Sequence, residues 1–139
     1  MFLAEEVCWA RLRQASHGVL ATVHDRRGVD AVPVVFAVCG QQLVVPIDTV
    51  KAKTGGRPQR LVNLERDDRC VLLVEFYSDD WSQLWWVRAH ARAVEAATTD
   101  EHRAALAGRY PQYRAEGAVV GSIVVTPYRL TGWAAASPS

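Results

Sequence analysis

The chain begins with a stretch in which Leu3, Val7 and Ala10 recur at helical spacing, while Glu5, Glu6, Arg11 and Arg13 fill the opposite face. That pattern predicts an amphipathic helix over residues 3–15, stopped by Gly18. The period then shortens to that of strands. Residues 19–24 form a β-rich run, and Asp25-Arg26-Arg27-Gly28 reads as a hairpin turn in which glycine supplies a positive φ. Residues 29–38 follow as a second, nearly all-apolar strand. Pro33 inside it cannot donate a ladder hydrogen bond, so it marks a bulge or a strand edge that faces something other than a neighbouring strand. After the turn at residues 39–42 comes a third strand over residues 43–47.

Residues 48–58 form a loop holding Gly55 and Gly56. Pro58 suits the first turn of a short helix over residues 59–65. Residues 70–77 are a fourth strand, and Ser78-Asp79-Asp80 turns the chain. A long fifth strand covers residues 84–95, with Trp85, Val87, Ala89 and Ala91 on one face and Trp86, Arg88, His90 and Arg92 on the other. Thr98, with Glu101 three residues later, has the form of a capping box ahead of a helix over residues 99–110, which Pro111 ends. Residues 121–130 are a sixth strand, and residues 134–139 read as a frayed tail. Antiparallel hairpins dominate and no βαβ alternation occurs. The expectation is one mainly β domain over residues 1–139 with flanking helices, its six strands forming a closed or partly open barrel.

Composition narrows the function. The chain has 139 residues, half of them apolar, enough for a sizeable core and too few for two comfortable ones. A net charge of +1 argues against a dedicated nucleic-acid surface. Cys8, Cys39 and Cys70 are an odd set with no CxxC, each in an apolar run, and read as buried reduced thiols in a reducing compartment. Acids appear early at the N-terminus and no apolar run is long enough to span a bilayer. The expected location is therefore cytoplasmic, with no membrane partner.

The charge is unevenly spread. Lys51 and Lys53 are the only lysines, Arg57 and Arg60 follow, and no acid lies between Lys51 and Arg60. Four cations, two glycines and the Thr54 hydroxyl just before a helix can cradle a phosphate, because helix N-termini carry unpaired N–H groups and glycine lets backbone approach an anion. The same residues can equally form a solvated basic loop. They are not a Walker A loop. Trp85 and Trp86 face opposite sides of their strand, so one can fill the core while the other lies at a pocket wall or an interface. Arg88 shares Trp86's face and either holds a ligand anion or pairs with Asp79, Asp80 or Glu95. Asp79 and Asp80 are read as turn formers rather than as an acid–base pair. His17, His24, His90 and His102 show no metal-ligand spacing, so no metal site is expected. Neither a GxSxG elbow nor a GxGxxG turn is present.

The run Gly18-Val-Leu-Ala-Thr-Val23, the run Val32-Pro-Val-Val-Phe36, the basic loop leading into Arg60-Leu-Val-Asn-Leu64, and the strand after it resemble the split β-barrel flavoproteins of the pyridoxamine 5′-phosphate oxidase-like family. The tract from Asp79 through Arg88 and the later Arg109-Tyr-Pro-Gln-Tyr113 are similar to a subgroup of coenzyme F420-dependent enzymes. The resemblance spans about residues 3–133. It implies a six-stranded antiparallel split barrel and a homodimer with cofactor sites at the subunit interface. By this resemblance Lys51, Lys53, Thr54, Arg57 and Arg60 hold the cofactor phosphate. The backbone of Pro33, Val34 and Val35 lies along the ring system, and Trp86 and Arg88 contribute to the pocket. The cations here are spread around Gly55 and Gly56, not set as the Arg-Lys pair of the family's flavin oxidases. The implied activity is hydride transfer from reduced F420 to a small organic acceptor, with no side chain assigned as catalytic. FMN is the alternative cofactor. A non-catalytic cofactor- or haem-binding barrel is the third reading, with His90 as the one candidate axial ligand.

Overall fold

The computed structural model describes residues 1–48 and 57–136. The first two strand-like runs form a hairpin. β1 (Gly18–His24) and β2 (Gly28–Val34) pair antiparallel, with Gly18 opposite Val34 and His24 opposite Gly28. Gly28 takes φ 93°, a region costly for other residues. His24 Nδ1 accepts from the Arg26 and Arg27 N–H groups, both at 3.0 Å, and so closes the turn.

The apolar run over residues 29–38 does not continue as one strand. It breaks at Val35 and Phe36, so that β3 (Ala37–Cys39) begins a separate short strand that pairs with β4 (Gln42–Asp48). The remaining elements are α1 (Glu5–Gln14), α2 (Gln59–Arg66), β5 (Arg69–Phe76), β6 (Trp85–Ala96), α3 (Asp100–Arg109) and β7 (Val119–Ala134). Among the described residues seven strands, not six, form one antiparallel sheet in the order β2-β1-β5-β6-β7-β4-β3. The break is invisible to hydrophobic patterning because the corner is itself apolar and Phe36 is fully buried.

The order of strands explains the shape. β2 and β3 occupy opposite edges of the sheet yet are consecutive in the chain. Three peptide steps separate Val34 from Ala37, a reach of at most about 11 Å. The sheet must therefore curl until its edges meet at this corner, although no ladder among the described residues joins them. The barrel is open along a seam. Among the described residues β3 pairs only with residues 42–44, and the second half of β4 also lacks a strand neighbour on the seam side. Pro33 on β2 and Pro46 on β4 flank the seam, and each withholds an N–H that pairing across it would use. The edge-strand reading of Pro33 is the one observed.

Two sets of side chains hold the layers together. Inward-pointing Leu20, Leu72, Val87 and Val125 form the inner core, which Cys8 and Leu12 of α1 and Leu61 and Leu64 of α2 join. Leu106 of α3 and Tyr113 cover the outer side of β3, β4 and the start of β7, against Ala37, Val44 and Val119. Among the described residues the outer face of β2, β1, β5 and β6 receives no such cover, and Val29 there is 68% exposed.

Two local expectations are corrected. The cap of α3 is Thr99, not Thr98: its hydroxyl accepts from the His102 N–H at 3.1 Å, and the His102 ring accepts the Thr99 N–H. Thr98 instead shares a 2.8 Å hydrogen bond with Ser122. The expected frayed tail from residue 134 is also displaced. Ala134 ends β7, is buried and donates to the Met1 carbonyl, and Ala135 donates to that of Leu84. Residues 137–139 lie outside the described residues.

A candidate functional site at the seam

Where the edges fail to pair, a cleft of about 160 Å³ opens between β2 and the end of β4. Val32, Pro33, Val34 and Val35 form one wall; Val45, Pro46 and Asp48 form the other; Arg60 reaches it from the first turn of α2. The walls are apolar and the charge comes from two residues of opposite sign.

Each of those two carries a buried polar atom with no hydrogen-bond partner among the described residues: Arg60 Nε and Asp48 Oδ1. An unpaired buried donor or acceptor costs about 1–3 kcal/mol, so native structures keep few of them. Among the described residues, two such atoms line this one cleft.

Both residues are firmly positioned. A register shift between Ile47 and Asp48 interrupts the β4–β7 ladder, and bulges of this kind re-aim side chains. Asp48 is 9% exposed, and the Tyr113 hydroxyl donates to its Oδ2 at 2.5 Å. Burial, followed by the bond to Asp48, pushes the Tyr113 phenol above its ordinary pKa, so it stays a donor at neutral pH. Arg60 is placed by α2, which Asn63 fixes to the hairpin. Asn63 is buried, donates to Thr22 Oγ1 at 2.9 Å and Asp30 Oδ2 at 3.0 Å, and accepts from Gln59. The bond from Arg27, then that from Asn63, lowers the Asp30 pKa to about 2.

Tyr110 supports the corner from the other side. Its hydroxyl accepts the Phe36 N–H at 3.3 Å and lies 2.8 Å from the Phe36 carbonyl, serving backbone groups that the broken strand leaves without a ladder. It also lies 2.9 Å from the Ser16 carbonyl and accepts from Arg109 Nε at 3.1 Å. The two tyrosines of Arg109-Tyr-Pro-Gln-Tyr113 thus brace both walls, and their rings meet edge-on at 5.7 Å.

Of the residues the sequence singles out, the structure brings Pro33, Val34, Val35 and Arg60 to one cleft. It does not bring Arg57 there, since that guanidinium bridges Glu65 and Glu95. Lys51, Lys53 and Thr54 lie outside the described residues. Trp86 and Arg88 stand on the uncovered outer face. Arg88 stacks on Trp86 at 5.1 Å and makes no ion pair among the described residues. Pro33, Val19, Leu73 and Arg88 are aligned across four neighbouring strands, which puts Arg88 roughly 14 Å along the sheet from Pro33. Of the two adjacent tryptophans it is Trp85 that turns inward, and it carries Arg11 over its ring at 5.0 Å. His90 faces outward near Tyr128. Asp79 and Asp80 lie in the turn, where Asp80 accepts from the Ser82 N–H and hydroxyl. A groove of about 700 Å³ between α2 and β6 is larger, but its charges are spent internally: Arg66 pairs with Asp25, Arg69 with Asp67 and Arg92 with Asp68.

Sequence reasoning did not single out Asp48 or Tyr113 for the site. The available signal was a lone carboxylate closing the apolar run Leu43-Val-Val-Pro-Ile47. What the pattern lacks is the bulge that turns it toward the cleft.

No family model matches the chain and no curated protein does. Solved structures do. An FAD-binding protein from Mycobacterium smegmatis aligns at 20% identity over 96% of each chain, with a TM-score of 0.64. An FAD-binding protein from Mesorhizobium loti aligns at 14% identity over 95% of each, with a TM-score of 0.70. A candidate pyridoxamine 5′-phosphate oxidase from Corynebacterium glutamicum aligns at 18% identity over 95% of this chain and 94% of that one, with a TM-score of 0.62. At these identities the likeness is one of fold: the chain shares the architecture of flavin-binding and pyridoxamine 5′-phosphate oxidase-like split barrels.

Proposed function

We propose that this chain is an oxidoreductase that binds a flavin-type cofactor at the seam and uses reduced F420 as hydride donor to a small organic acceptor. The observation that carries the reading is the cleft itself. An unpaired guanidinium nitrogen and an unpaired carboxylate oxygen sit beside the Pro33-Val34-Val35 backbone, in a barrel whose structural neighbours include two FAD-binding proteins. The residues fit the group. Apolar walls suit a flat ring, and Arg60 offers a donor to one of its oxygens.

When bound, such a cofactor supplies the hydride chemistry itself. The chain's part is to bind, orient and exclude water. Val32, Val34 and Val45 provide dry walls, and Arg60 provides a fixed positive charge. In this reading Lys51, Lys53 and Thr54 hold the phosphate tail, with Arg57 joining them only by leaving Glu65 or Glu95. The uncovered outer face with Trp86 and Arg88 is where a second copy docks to complete the pocket. No side chain is required as a nucleophile.

Equilibrium titration of F420, FMN and FAD into one purified sample tests the reading. A tenfold preference, about 1.4 kcal/mol, identifies the cofactor. FMN is the alternative to F420, and an air-reoxidised yellow complex would favour it. Failure of all three to bind below millimolar concentration would remove the flavin reading.

A further inference from the structure

Resting on that reading, we propose that Asp48, positioned by Tyr113, accepts the ring imide N–H of the cofactor while Arg60 Nε donates to the neighbouring carbonyl. The pairing follows from what is unpaired. The cleft offers one acceptor and one donor, Asp48 Oδ1 and Arg60 Nε, both buried and both without a partner among the described residues. A ligand that satisfies both must present a donor and an acceptor together. The pyrimidine edge of a flavin or deazaflavin has that pattern, with one N–H set between two carbonyls.

Charge separates this assignment from the other end of the cofactor. A phosphate would meet the Asp48 carboxylate at short range in a poorly solvated cleft, where like charges repel strongly. The carboxylate beside the guanidinium makes the cleft nearly neutral overall, which suits a neutral ring edge. The phosphate therefore belongs elsewhere. Asp48 is not free to turn away, because Tyr113 holds its Oδ2 at 2.5 Å and the backbone shifts register at that residue. Bonds to an ionised acceptor are roughly twice as strong as neutral ones, so Asp48 becomes a determinant of ring specificity and Tyr113 a positioning residue behind it.

The test changes the ligand before the protein. FMN and the 8-hydroxy-5-deazaflavin of F420 are each titrated beside their N3-methyl derivatives, which lack the N–H. The wild-type chain is expected to bind each N3-methyl form at least tenfold more weakly than its parent. In Asp48→Ala that ratio collapses to within twofold, whatever the absolute affinity, and in Tyr113→Phe it falls between the two. A merely structural role for Tyr113 would shift both affinities alike and leave the ratio unchanged. Equal binding of parent and N3-methyl ligand by the wild-type chain would overturn the assignment while leaving flavin binding intact. Absence of binding by every parent ligand would overturn it together with the reading it rests on.

Discussion

Asp48 and Tyr113 show how a single hydrogen bond ties the site to the fold. Removing the phenol hydroxyl leaves a second carboxylate oxygen buried without a donor. Tyr113→Phe is therefore expected to lower stability by about 1–3 kcal/mol in urea denaturation, a large share of what a domain of this size has to spare. An unchanged midpoint would mean that water replaces the phenol. Asp30 has a different signature. Its folded pKa of about 2 lies below the ordinary 3.8, through bonds from Arg27 and then Asn63. The stability it contributes is thus complete above about pH 4 and is lost as pH falls toward 2. Asp30→Asn should flatten that part of the stability–pH curve and leave the neutral plateau's shape unchanged, as measured by thermal melts across the acid range.

At the scale of elements, close approaches set the register. A Cβ on Gly18 would stand 2.8 Å from the Leu73 carbonyl oxygen, a backbone atom of the neighbouring strand that cannot swing aside. Gly18→Ala is expected to cost about 1–3 kcal/mol by forcing β1 and β5 apart; Gly108→Ala, with open space around it, serves as the control. Element types were largely legible from pattern. α1 and both faces of β6 follow from periodicity, since Val87, Ala89 and Ala91 are buried and Arg88 and Arg92 are exposed, while α2 and α3 follow from their proline and capping signals. What was not legible is where the pattern carries no contrast. The Val35-Phe36 corner is as apolar as the strands it separates, and Thr98 and Thr99 are equally good caps until Ser122 engages the first. The bulge at Asp48 leaves no mark in the alternation at all.

For the whole molecule, the seam is the main consequence of the strand order. An edge strand and the unpaired half of β4 are brought together by a two-residue corner and kept from pairing by Pro33 and Pro46. The family resemblance named Pro33, Val34, Val35 and Arg60 but set Arg60 with the phosphate-holding cations; that it shares a cleft with the other three is seen only in the structure, whereas Trp86 and Arg88 lie on a different face of the same chain. They can share the pocket only if a second copy supplies them. Sedimentation equilibrium should then return twice the chain mass, and Trp86→Glu should shift it toward the monomer while β6 stays folded. A monomeric wild-type chain would confine the site to the seam residues alone.

The central claim is that the cleft at the seam holds a flavin-type ring through Arg60. Calorimetric titration of the preferred cofactor into wild-type protein and Arg60→Ala, both shown folded by circular dichroism, tests it most directly. The wild-type protein is expected to bind the cofactor, and the affinity to weaken at least tenfold in the variant. Equal affinity in the two proteins would place the cofactor somewhere other than the seam.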